Sequence, residues 1–233
     1  MWPAILIGGV VAIAASLQRT IRYPYPPPVW PIGRGARNNR TDYTRPMGER
    51  WPAFMRGDLR SYTNLIQWLD VERSTRWLRD GDRTYCDHYF LDFFDQWYGA
   101  NVVPNPAGRW WRSATIEQLR AGEQIQATRD NTLERNASGL NTWLRNEGAA
   151  FGWRHLASAA DLREYVNQTG LVGAISTAGH VAVVLPDVVQ PTTDANAPPL
   201  QTQAGGSNYA LRRSSTWYAR EPSALFVVWN PRA

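Results

Sequence analysis

The 233-residue chain contains no lysine, so all 25 of its basic residues are arginines. That excludes Schiff-base chemistry and an amine general base, because a guanidinium stays protonated. Cysteine is almost as scarce. Cys86 stands alone, which excludes an intrachain disulfide framework and any paired-cysteine metal or redox motif. The three histidines, His88, His155 and His180, lack the spacing of a zinc site, so neither a metal nor another cofactor is expected. Charged residues make up 19% of the chain, below the typical share of about 25%. What is abundant is apolar: 43% hydrophobic, 12% aromatic and 12 tryptophans, which excludes wholesale disorder. The net charge of +5 favours anionic surroundings weakly, and no nucleic-acid recognition motif accompanies it. No specific nucleic-acid partner is expected.

The first 50 residues read as two segments outside the globular domain. Trp2 to Leu17 is an uncharged, mostly apolar run ended by Gln18 and Arg19. It approaches the roughly 20 residues of a bilayer-spanning helix only if Thr20 and Ile21 join and Arg19 snorkels. Residues 1–22 are therefore expected to be a membrane or assembly anchor, with a buried helix in a larger assembly as the competing reading. A signal peptide fits the Ala12-Ile13-Ala14 pattern but lacks the basic leading region. Residues 23–50 are dense in proline, glycine and arginine, and the proline cluster from Tyr23 to Pro31 favours an extended linker or strap.

Residues 51–233 carry the pattern of one globular domain. Asp58 can cap a helix running through residues 59–80, with Leu65, Ile66, Leu69 and Trp77 at helical spacing. A second helix is expected over residues 84–99, ended by Gly99, with Cys86, Tyr89 or Phe90, Phe93 and Trp97 along one stripe. Short helical pieces follow at Thr115 to Arg120 and Ser138 to Asn146, and another at Asp161 to Asn167 announced by Ser158. Then come short strands at Leu171 to Ser176, His180 to Leu185, Leu200 to Gln203 and Ala224 to Trp229, the first two joined as a hairpin by Thr177, Ala178 and Gly179. Helices followed by an antiparallel sheet predict an α+β fold.

The lone cysteine gains meaning from its place. A thiolate nucleophile needs a depressed pKa, which a helix N-terminus and a nearby imidazole provide. Cys86 opens an aromatic helix, and His180 opens the strand HVAVVLP directly after a glycine. A helix-borne Cys early and a strand-borne His later is the chain order of papain-like hydrolases. His88 lies about 200° around the helix from Cys86, so it reads as a surface or packing residue. His155 reads as a structural histidine.

TYCDHYFLDFF followed by AISTAGHVAVVLP resembles the bacterial and phage cell-wall cysteine peptidases of the CHAP and NlpC type, over about residues 80 to 230. The resemblance implies a papain-like fold and hydrolysis of amide bonds in peptidoglycan, with Cys86 as nucleophile, His180 as base and the Cys86 backbone N–H in the oxyanion site. It also implies a polar third residue on the next strand. Side chains alternate along a strand, so Gln201 and Gln203 share a face and are the candidates, while Asp187 falls on the opposite face and is discounted. A neutral amide can orient the imidazole, though it stabilises the imidazolium less than a carboxylate. Tyr85, Trp110 and Trp111 are candidates for lining a groove that takes sugars or peptides. The expected partner is peptidoglycan, with a membrane or virion contact through residues 1–50 and a location in the virion or cell envelope. The competing function is a structural virion or assembly component that keeps the scaffold without activity.

Overall fold

The computed structural model describes residues 60–98, apart from 75 and 80, and residues 135–230. The expected anchor and linker, the Asp58 cap, the short helix near Thr115, Trp110 and Trp111 lie outside the described residues. Among the described residues no helix is long and apolar enough to cross a membrane.

The chain is α+β. Helices α1 (Arg60–Leu69), α2 (Cys86–Tyr98) and α3 (Ala137–Asn146) are followed by strand β1 (Trp153–Leu156), helix α4 (Ala159–Thr169) and strands β2 (Gly173–Ser176), β3 (Val181–Leu185), β4 (Leu200–Gln203), β5 (Tyr209–Arg213) and β6 (Leu225–Trp229). The six strands form one antiparallel sheet in the order β1-β6-β2-β3-β4-β5. Strand alternation sorts its side chains onto two cores. Ala174, Val181, Val183, Leu200 and Val227 pack with α1, α2 and α3. Ile175, Val184 and Val228 pack with Leu162 and Val166 of α4. Gly173 allows that second contact, since a Cβ there would stand 2.6 Å from Leu162 Cδ1 and 2.9 Å from the Val227 carbonyl.

Helix ends follow local chemistry. Ser158 caps α4 by accepting from the Asp161 N–H, as the sequence predicts, and Asn136 caps α3 by accepting from the Gly139 N–H. Helix α1 is shorter than expected. It ends at Leu69, where Asp70 adopts φ 49°, and residues 70–74 form a turn instead of continuing the helix. Trp77 is fully buried in this loop rather than on the helix, and its indole N–H is satisfied by donating to Asp92 at 3.0 Å. Arg76 grips the same carboxylate through Nε at 2.6 Å and Nη2 at 3.2 Å, tying this loop to α2. Two strands absent from the sequence reading, β1 and β5, are the edges of the sheet.

Candidate active site

Cys86 is the first residue of α2. Its aromatic helix packs against the sheet through Tyr89, Phe90, Phe93 and Phe94, all fully or almost fully buried. That packing also buries the thiol, which is only 2% exposed. Burial pushes the Cys86 pKa up to about 11, and the Asp87 carboxylate adds to the rise. The backbone N–H groups of Val181, Asp87 and Cys86 itself act on the sulfur in the opposite direction. The expectation of a thiol depressed by its helix terminus is therefore corrected: the donors are present, but desolvation outweighs them. The Val181 contact also places the sulfur beside the residue that follows His180.

His180 closes the β-turn between β2 and β3. The Thr177 N–H donates to the His180 carbonyl at 2.7 Å, and the His180 N–H donates to Thr177 Oγ1 at 3.0 Å. Its ring Nε2 lies 2.6 Å from Gln203 Oε1. Because the other end of that amide donates to the Ser207 carbonyl at 3.1 Å, Oε1 faces the imidazole and accepts from Nε2–H. The lone pair then resides on Nδ1. Burial holds the His180 pKa below its ordinary value, while the Gln203 hydrogen bond pulls the other way.

The two candidate glutamines play different parts. Gln203 touches the imidazole. Gln201 does not; its Oε1 accepts from Trp217 Nε1 at 3.1 Å, and its Nε2 donates to the Pro199 and Ser214 carbonyls. Trp217 in turn meets the His180 ring edge-to-face, with centroids 4.6 Å apart and planes at 85°. Gln201 is thus a support one residue removed from the imidazole. Asp187 lies away from the site, paired with Arg163 at 2.7 Å and Arg213 at 2.8 Å.

Two further residues frame the imidazole. A Cβ on Gly205 would stand 2.7 Å from His180 Cε1, so the ring fits only against a glycine. Asn208 holds this turn by accepting from the Gly205 N–H at 2.9 Å and donating to the Val71 and Trp77 carbonyls. The Gly205-Gly206 pair following Gln203 was a sequence signal for Gly205. Trp217 had none.

Two adjoining cavities open on the pair. One, of about 540 Å³, is lined by Cys86, Tyr85, Arg83, Asn136, Thr84 and Gly179. The other, of about 430 Å³, is lined by His180, Gln203, Trp217, Arg212, Thr84 and Gly179. They share Thr84 and Gly179, so the cavity lined by Cys86 and the cavity lined by His180 meet at that pinch. Among the described residues no hydrogen bond joins Cys86 directly to His180. Tyr85 is among the residues lining the thiol cavity, stacked on His88 with ring centroids 5.4 Å apart. His88 is buried rather than at the surface, and its pKa is lowered to about 3 by burial and by Arg76. His155 Nε2 lies 2.9 Å from the Leu144 carbonyl, a structural contact. A separate cavity beside α4 is lined by Arg163, whose guanidinium is already held by Asp187 and by the Asp194, Ala195 and Ala197 carbonyls. Among the described residues no group of three or more His, Cys, Asp or Glu is placed to hold a metal ion.

Compared with known proteins, the chain matches no family model, no curated protein and no solved structure.

Proposed function

We propose that this chain is a papain-like peptidoglycan hydrolase, cleaving an amide bond of the cell-wall peptide by a Cys86–His180 mechanism. Delivery is to the envelope or within a virion, through residues 1–50. The observation that carries the reading is the 2.6 Å His180–Gln203 hydrogen bond, set beside a helix-terminal cysteine whose sulfur meets the Val181 N–H. It is a nucleophile, a base and an orienting group arranged around one cleft.

In this reading both partners rest neutral at pH 7, because burial opposes charge on each. Approach of the substrate carbonyl brings the proton of Cys86 Sγ to His180 Nδ1 as the S–C bond forms. The carbonyl oxygen takes the negative charge and is met by the Cys86 backbone N–H. Collapse of the tetrahedral species breaks the C–N bond, and the imidazolium gives its proton to the departing amine. Water then adds to the thioester while His180 takes one of its protons. The C–S bond breaks, the acid is released, and the imidazolium reprotonates the thiolate. Gln203 keeps Nε2–H engaged throughout, so Nδ1 remains the working nitrogen.

Incubation of the purified chain with sacculi tests the reading. Wild type releases new amino groups, and Cys86→Ala releases none while melting at the same temperature; unchanged release by Cys86→Ala overturns it. The second reading, an inactive scaffold, is favoured by the upward shift of the thiol. Thiol alkylation near pH 7 separates the two. If His180 takes the proton of Cys86, labelling slows in His180→Ala, whereas labelling of a scaffold thiol does not change with that substitution.

A further inference from the structure

The cleft contains two arginines that the catalytic reading leaves unused. Arg83 lines the thiol cavity and Arg212 lines the imidazole cavity. Both are exposed, and neither forms an ion pair among the described residues. Three other arginines are held in ion pairs: Arg76 with Asp92, and Arg163 and Arg213 with Asp187. Arg212 is steered by the Tyr209 ring, its guanidinium carbon 5.8 Å from the ring centroid. In the thiol cavity the acid Asp87 is almost fully buried, so the cation presented there is Arg83.

Chemistry assigns the two sides. His180 must return a proton to the departing nitrogen, so the leaving segment occupies the imidazole cavity. The acyl segment, bonded to sulfur, occupies the thiol cavity. Their boundary is the pinch at Thr84 and Gly179, where a glycine Cβ would meet nothing within 4 Å.

We infer that the cleft selects a peptide carrying a free carboxylate on each side of the scissile amide, the acyl-side group read by Arg83 and the leaving-side group by Arg212, with the bond crossing at Gly179. Guanidinium and carboxylate pair through two parallel hydrogen bonds, which gives geometric selection as well as attraction. The inference rests on the hydrolase reading, and its test separates the two.

Synthetic stem peptides are prepared with free carboxylates or carboxamides at each position. Wild type should lose about tenfold in kcat/KM on amidation of either side. Arg83→Gln should erase the acyl-side discrimination alone, and Arg212→Gln the leaving-side discrimination alone. Equal cleavage of all forms, or both variants losing the same discrimination, overturns the inference and leaves the hydrolase reading standing. Gly179→Leu should stop cleavage of every form without lowering Tm; full activity would overturn the crossing point. Calorimetric binding of the all-carboxylate and all-carboxamide peptides to Cys86→Ala needs no turnover. A tenfold preference for the carboxylate form with no cleavage by wild type removes the hydrolase reading and keeps only the carboxylate selectivity of the two cavities; equal binding removes that selectivity and with it the inference.

Discussion

The two walls of the cleft are built on opposite principles. The thiol wall is an aromatic helix, with Phe90, Phe93 and Phe94 fully buried, and it fixes Cys86 by excluding water. The imidazole wall is a polar relay running Gln201 to Trp217 to His180 to Gln203 to Ser207, and it fixes His180 by directed contacts. The first kind of rigidity raises the thiol pKa, and the second partly offsets the desolvation of the imidazole. Positioning by burial and positioning by hydrogen bonds thus have opposite electrostatic consequences, and the site joins one of each. The comparison predicts that the walls fail differently when broken.

The largest effect is expected on the thiol wall. Asp92 is 2% exposed and takes two hydrogen bonds from Arg76 and one from Trp77. Asp92→Ala removes the carboxylate from a buried pair, which costs about 3–5 kcal/mol. Urea unfolding checks this, and a loss below about 1 kcal/mol would show that aromatic packing alone secures α2. Asp92→Asn, which retains an acceptor for Trp77, should lose less.

The imidazole wall should fail in chemistry before stability. Gln203→Leu removes the acceptor for Nε2–H, and kcat/KM should fall about 10- to 100-fold. The pH profile gives the sharper reading. Burial lowers the His180 pKa, so the acid limb of the rate lies below the ordinary histidine value of about 6.5. Gln203 raises that pKa, so Gln203→Leu should move the limb to lower pH. Gln203→Glu should move it to higher pH, because a carboxylate stabilises the imidazolium. Limbs that move together, or not at all, would remove His180 as the titrating base.

How far each wall is legible in sequence follows from the same contrast. The inner strands β2, β3, β4 and β6 show as short runs bounded by Gly, Pro and Asn, apolar in β2, β3 and β6. Edge strands β1 and β5 do not, because Arg154, His155, Arg212 and Arg213 break the apolar pattern with side chains at the sheet margin. Gln203 was reachable because alternation along β4 is local geometry. Gly205 and Trp217 are set by which segments meet across the sheet, and local periodicity carries no such information. The aromatic stripe of α2 announced packing, yet not the degree of desolvation that reverses the expected shift of Cys86. The loop after α1 carries a helical spacing in sequence for a related reason: Asp92, the partner of the Trp77 indole, lies on α2.

The smallest effect tests whether the walls act as one unit. Tyr89 of α2 and Thr202 of β4 share a 2.6 Å hydrogen bond between their hydroxyls, linking the Cys86 helix to the strand that carries Gln203. Tyr89→Phe and Thr202→Val should each cost about 1 kcal/mol, and a double-mutant cycle should give a coupling of about 0.5–1.5 kcal/mol. The same cycle read in kcat/KM is the more telling one. If this bond sets the spacing of thiol and imidazole, either single substitution lowers the rate and the second adds little. If the rate losses add, the sheet pairing of β3 with β4 holds the walls in register, and the hydroxyl pair serves stability alone.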